Sequence, residues 1–99
     1  MDATSDAILS AEDSVLRVGA STSPQELAAA IAHGCYEHKP PVLRAIGAGA
    51  VNQAIKACAI ARQYVAPRAM DLTFRPGFTT LSMHDNENVS AIVLKVIID

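Results

Sequence analysis

Apolar residues recur along this chain at two different periods, and the switches between them outline the elements. From Val15 to Ala20, Leu16, Val18 and Ala20 alternate with Arg17, the pattern of a strand with one covered face. A helix start follows. Ser23 stands at the cap position, Pro24 at the first helical position and Glu26 three after the cap, a full capping box. Leu27, Ile31 and Cys35 then fall on one helical face, and Pro40-Pro41 ends the helix near His38. A second strand, Val42 to Ile46, leads into a helix from about Ala50 to Val65, closed by Ala66-Pro67. Val51, Ala54, Ile55, Cys58, Ala61 and Val65 form its apolar face. Ile60 and Tyr64 lie away from that face, an outer stripe that predicts a subunit interface.

A third strand begins near Met70, with Leu72 and Phe74 set against Asp71, Thr73 and Arg75. Pro76-Gly77 predicts a bulge or bend at the sheet edge, because a strand interior rejects proline. Phe78 to Met83 resumes the extended pattern and His84 to Asn88 reads as a hairpin turn. Ser90 to Ile98 is almost continuously apolar, as a central strand covered on both faces would be.

The order β-α-β-α-β-β predicts an α/β fold of the α+β two-layer kind, a mixed four-stranded sheet with two helices on one face. Alternation places Arg17, Arg44, Arg75 and Lys95 on the open face, one cation per strand, with Val42, Ile46, Val93 and Ile97 between them. Such a face calls for cover: another subunit, nucleic acid, or the N-terminal segment.

Composition sharpens this picture. At 99 residues the chain fits one domain. Hydrophobic residues make up 51%, yet there are only two Tyr, two Phe and no Trp, so the core must be Ala, Val, Ile and Leu. Residues 1–13 hold Asp2, Asp6, Glu12 and Asp13 and no basic residue, and read as a flexible acidic extension dispensable for folding. Residues 14–99 form the domain proper. All eight basic residues lie there with the six remaining acidic ones, a mild basic excess and far from a DNA-coating protein. Cys35 and Cys58 show no metal or redox spacing and read as small core residues in a reducing compartment. Neither a secretion signal nor a membrane span is expected, which predicts a cytoplasmic protein without membrane contact.

The chemistry concentrates in residues 44–62, RAIGAGAVNQAIKACAIAR. Gly47 and Gly49 at a strand-to-helix junction allow a tight turn and close backbone approach, and the first amides of the helix are left unpartnered. Together with Asn52, Gln53 and Lys56, and with Arg44 just upstream, this suits an anion such as a phosphate. The plainer reading is a βα turn in which glycines permit packing, Asn52 and Gln53 bond the loop and Lys56 is solvated. A dinucleotide fingerprint is excluded, since its third glycine is replaced by Asn52 and the turn follows the second strand. Cys35 and His33 point about 200° apart on a helix, so no nucleophile pair forms. His33 and Glu37 share a face but lack a third metal ligand. Tyr36 and Tyr64 fit packing or interface roles better than base stacking. No catalytic residue, metal or cofactor is expected.

With these residues in hand, the chain resembles the stage V sporulation protein S family, whose pattern is similar at Ala45, Gly47 to Ala50, Asn52 to Ala54, Lys56, Ala57 and Ala59 to Arg62. Val65-Ala66-Pro67, Asp71-Leu72, Pro76, Phe78 and the Ser23-Pro24 helix start extend it over about residues 14–98. The resemblance implies a small protein of sporulation or a related developmental programme, without enzymatic chemistry. It also implies a fold like that of Alba chromatin proteins, dimers that bind DNA or RNA. Alba proteins carry basic groups where this chain has Ser21-Thr22-Ser23, Ile46, Ala48, Ala50 and the acidic Asp85-Asn86-Glu87, so the resemblance implies weak binding. Two readings follow. One is a nucleic-acid-binding regulator making phosphate-backbone contacts through Gly47, Gly49, Asn52, Gln53, Lys56 and Arg44. The alternative is a protein-interaction module forming a homodimer or tetramer through Ile60 and Tyr64. An enzyme or metabolite sensor comes last.

Overall fold

The computed structural model describes residues 14–82 and 87–99, which form strand β1 (Val15–Val18), helix α1 (Pro24–Tyr36), strand β2 (Val42–Ala45), helix α2 (Ala48–Val65), a 3-10 turn (Ala66–Arg68), strand β3 (Leu72–Ser82) and strand β4 (Asn88–Ile98). The expected acidic extension at 1–13 lies outside the described residues, as does most of the expected hairpin turn. The sheet runs β1-β2-β4-β3. β1 and β2 are parallel, while β4 runs antiparallel to both β2 and β3. The nearly all-apolar β4 is therefore central, as its sequence predicts.

Helix α1 starts where expected. Glu26 N donates to Ser23 Oγ at 3.3 Å, and Pro24 occupies the first turn, where a missing N–H costs nothing. The hydroxyl of Ser23 faces Gln25 Oε1 at 3.4 Å, and no return bond from the Glu26 carboxylate is seen among the described residues, so the cap is half of the predicted box. The helix stops at Tyr36, two residues short of the expectation. His38 takes a left-handed φ of 58°, and Lys39 N reaches back to Gly34 O at 2.8 Å.

Two helices and one sheet face enclose a core of small side chains. Ala28, Ala32, Ala54, Ala57 and Ala61 are buried with Leu27, Ile31, Cys35, Leu43, Val65, Leu72 and Val96. The α2 face differs from its wheel prediction in detail. Ile55, expected in the core, is 52% exposed, while Ala50 and Ala57 are buried. Ile60 packs against the core margin rather than forming part of an outer stripe. Two alanine-lined helices approach closely, so the interface is narrow and β-branched bulk at its edge stays outside.

The predicted bulge at Pro76-Gly77 does not occur. β3 runs unbroken for eleven residues, in register with β4 from Leu72↔Ile98 to Ser82↔Asn88. The expected edge position is found. β3 is an edge strand, so the missing Pro76 N–H faces outward and no ladder bond is lost.

Beyond Ile92, the partner of Ala45, β4 pairs with β3 alone, and residues 79–82 and 88–91 form a two-stranded arm. Because β1 and β2 run in one direction and β4 in the other, the arm projects from the sheet edge that also carries the starts of α1 and α2. At that edge α2 rests on the loop after β1. A Cβ on Gly49 would stand 3.0 Å from Ala20 Cβ.

Two outcomes are expected from this packing. Gly49→Val drives a branched side chain into Ala20 and lowers stability by about 1–3 kcal/mol, read as a fall in the urea midpoint at unchanged slope. The thiols of Cys35 and Cys58 are buried, and desolvation pushes Cys58 up from 9.0 to about 12. Folding thus favours the protonated Cys58, whose stabilisation is complete below pH 9 and is lost as the pH rises towards 12. At pH 8 both cysteines should react with iodoacetamide only as fast as the domain opens; rapid labelling of the folded protein would contradict this.

Candidate nucleic-acid interface

The turn between β2 and α2 is set by one backbone conformation. After Ala45 the chain leaves the sheet, and Gly47 adopts φ 88° and ψ 159°, a region that only glycine occupies without strain. Gly47 is the cap of α2 and has no side chain with which to bond the helix start. The first turn of α2 also lacks an acidic residue, unlike α1 with Ser23 and Glu26. The amides of Ala48, Gly49 and Ala50 therefore keep the partial positive charge of an uncapped helix N-terminus. A Cβ on Gly47 would meet nothing within 4 Å, so this side of the turn is open. The two glycines do different things: Gly47 permits the turn, whereas the space above Gly49 is filled by Ala20 of the same protein.

Gln53 and Asn52 bind the loop. Gln53 Nε2 donates to Thr22 O at 2.9 Å, and Asn52 Nδ2 donates to Gln53 Oε1 at 3.2 Å. Thr22 Oγ1 in turn accepts from Gly19 N at 2.8 Å. This chain of bonds fixes the loop after β1 against the second turn of α2, and it holds the Gly47 turn in place. It also engages one N–H of each of the two amides. Lys56 is exposed and has no hydrogen bond or ion pair among the described residues. It follows Ala48 and Asn52 at i+4 spacing, on the same helix face but about 12 Å from the helix start. The turn and the lysine are thus two separate contact points for negative charge, not one closed pocket.

Arg44 belongs elsewhere. The helix-facing residues of β2 are Leu43 and Ala45, so Arg44 projects from the opposite face of the sheet, in register with Arg17 and Val93. The six sequence-picked residues divide accordingly: Gly47, Gly49, Asn52, Gln53 and Lys56 share the start of α2, and Arg44 joins a separate cationic face with Arg17, Arg75 and Lys95.

Tyr64 is 42% exposed, and its backbone carbonyl accepts from Tyr36 Oη at 3.0 Å. Arg68 stacks on the Tyr36 ring at 3.7 Å from the centroid, and Arg62 pairs with Asp71 at 2.9 Å. Sequence reasoning missed these contacts; the Tyr36 pair joins residues 28 apart, and no local pattern announces it. His33 and Glu37 do meet, at 3.1 Å, but both are exposed and no group of three metal-binding side chains forms among the described residues. No helix among the described residues is long and apolar enough to cross a membrane.

The fold is shared with Alba from Thermoplasma volcanium, with a TM-score of 0.54 over 83% of this chain and 96% of that one at 19% identity. At that identity the likeness is one of architecture, a mixed four-stranded sheet with two helices. The Stage V sporulation protein S (SpoVS) family matches residues 14–99, a span that includes every described element and the Gly47 turn with its Asn52, Gln53 and Lys56. The chain belongs to the stage V sporulation protein S family and is a sporulation-related protein on an Alba-like fold.

Proposed function

We propose that this protein acts in the cytoplasm as a regulator of sporulation or a related developmental programme, binding nucleic acid weakly through its phosphate backbone and carrying out no catalysis. The observation behind this reading is the start of α2. An uncapped helix N-terminus, held open by Gly47 and braced from behind by Gln53 and Thr22, lies on the same exposed helix row as Lys56. A separation of about 12 Å between amides and lysine matches a polyanion with repeated charges better than a single small anion. Base reading is not part of the proposal. The outward row of α2 holds Asn52, Lys56, Ala59 and Gln63, one cation in all, too few to seat the helix in a groove.

The Alba-like fold supports the reading, and the local chemistry bounds its strength. Residues 79–82 and 88–91 of the arm carry no basic side chain, and the residue before the second arm strand is Glu87. Binding should therefore be weak and steeply dependent on salt.

A second reading, a homo-oligomeric assembly module, draws on the apolar groups left exposed on the flanks of α2, Ile55 and Tyr64. The two readings are compatible, since an oligomer would multiply the contact points of each chain.

Electrophoretic shifts with DNA and RNA across a salt series test the first reading. Each phosphate neutralised on duplex DNA should contribute about −0.9 to the slope of log affinity against log salt. Lys56→Ala should weaken binding about equally for all sequences and reduce that slope by roughly one unit. Absence of binding at ~50 mM salt by the folded protein would leave the assembly module as the function. Light scattering tests the second. Tyr64→Glu places a charge where an apolar contact would form and should raise the monomer fraction; a wild-type protein that is strictly monomeric at micromolar concentration would eliminate the interface.

A further inference from the structure

The two edges of the sheet are finished differently. β3 carries Pro76 midway along its length, whereas β1, Val15–Val18, has no proline, no lysine and no bulge. Ser14 O accepts from Val42 N at 2.8 Å, which fixes the backbone groups that β1 gives to β2. Alternate residues of a ladder turn their N–H and C=O towards the neighbouring strand, so those of Val15 and Arg17 point out from the sheet. No hydrogen bond reaches these groups among the described residues, and both residues are exposed. Beside this edge, on the helix side, lies an open depression of about 230 Å³ lined by Leu16, Ala30, His33, Gly34, Lys39 and Pro41. Leu16 packs against the core and supplies its apolar wall on the strand side. The carboxylate at the rim, Glu37, is engaged by His33 Nε2 at 3.1 Å, while the side chains of Arg17 and Lys39 have no ion pair among the described residues. The charge left for a partner at this edge is therefore positive.

We propose that β1 and this depression form a docking site for an extended acidic segment of a partner protein, which adds to the four-stranded sheet as a further strand beside β1. Open N–H and C=O groups in strand spacing match a peptide backbone, and the depression next to them receives an alternate side chain, the two elements by which a sheet edge binds a peptide. The side-chain pattern of the partner follows from the parity of β1. Leu16 lies on the helix side and Val15 and Arg17 on the other, so the residue opposite Leu16 enters the depression and is aliphatic. The residue opposite Val15 is aliphatic as well, and the residue opposite Arg17 is an acid. A second acid, opposite Ser14 on the helix side, meets Lys39. The pattern acid, aliphatic, aliphatic, acid reads the same in both chain directions, so parallel and antiparallel addition are both served. A second copy of this chain is a poorer occupant, because neither of its edge strands, β1 or β3, contains an acidic residue and each brings an arginine. The proposal is independent of the reading of the α2 start.

The experiment titrates the full ¹⁵N-labelled chain with an acetylated and amidated synthetic peptide of sequence Ser-Glu-Val-Leu-Glu-Ser, followed by NMR. The amide resonances of Val15 and Arg17 should move downfield, saturate at or below ~1 mM peptide and exchange with solvent several-fold more slowly, while those of β3 stay in place. A peptide with both Glu replaced by Lys should bind several-fold more weakly. Arg17→Glu should reverse that preference, a result that a merely structural role for Arg17 does not produce. Ala30→Leu, on the exposed side of α1, fills the depression and should weaken binding several-fold with little change in melting temperature. No shift at Val15 and Arg17 at ~1 mM peptide with the fold intact, or equal binding of the lysine peptide, would overturn the proposal. Shifts of the same amides that track protein concentration without peptide would overturn it in favour of a second copy. Shifts produced by an oligonucleotide and not by the peptide would overturn it in favour of nucleic acid.

Discussion

The constraint on which this structure depends is close approach between backbones. With few aromatic groups, the protein has little large apolar surface with which to fill a wide gap between layers. Ala28 and Ala32 on one helix and Ala54, Ala57 and Ala61 on the other are nearly or wholly buried, so the helices meet almost backbone to backbone. Alanine contributes little transfer free energy, and much of the stabilisation must come from the many short-range contacts of a dense interface. Gly49 extends the same logic to the end of α2, where it meets Ala20. Bulk added at any of these points would separate layers that have nothing larger to fill the gap.

This constraint also shapes the candidate site. The Gly47 turn faces outward because its neighbour Gly49 fixes the helix against the β1–α1 loop, and Gln53 bonds that loop at Thr22. The residues that look most like ligand donors are therefore largely scaffolding, and what they support is a row of backbone amides. Helix α1, capped by Ser23 with Glu26 in its first turn, offers no equivalent. The difference between the two helix starts is one of capping chemistry, and it gives the sheet edge a direction.

Elements governed by local rules were legible in the sequence. Ser23 and Pro24 mark the start of α1 because a cap depends on neighbours three residues away, and β4 reads as central because its apolar run is continuous. Contacts made across the fold were not legible. The Gln53–Thr22 bond spans 31 positions, and the contact of Gly49 with Ala20 appears only once β1 and α2 are placed. A helical wheel places Ile55 in the core because it weighs hydrophobicity, whereas a narrow alanine interface selects for size and leaves it exposed. Of the site, the residue types and the turn could be read from sequence. The separation of Arg44 onto the other sheet face depends on strand parity together with the side on which the helices lie, and the packed core settles that side.

The unbroken run of β3 through Pro76 has a consequence of another kind. A strand of eleven residues at the rim of a sheet presents open hydrogen-bonding groups on its outer side, which invites the same strand of another molecule to add on. Proline midway along that rim removes a donor and sets its ring in the path of an incoming chain. The arm can therefore be long without serving as a template for fibrous stacking. Proline in the middle of the strand thus blunts pairing along the longer of the two described edge strands.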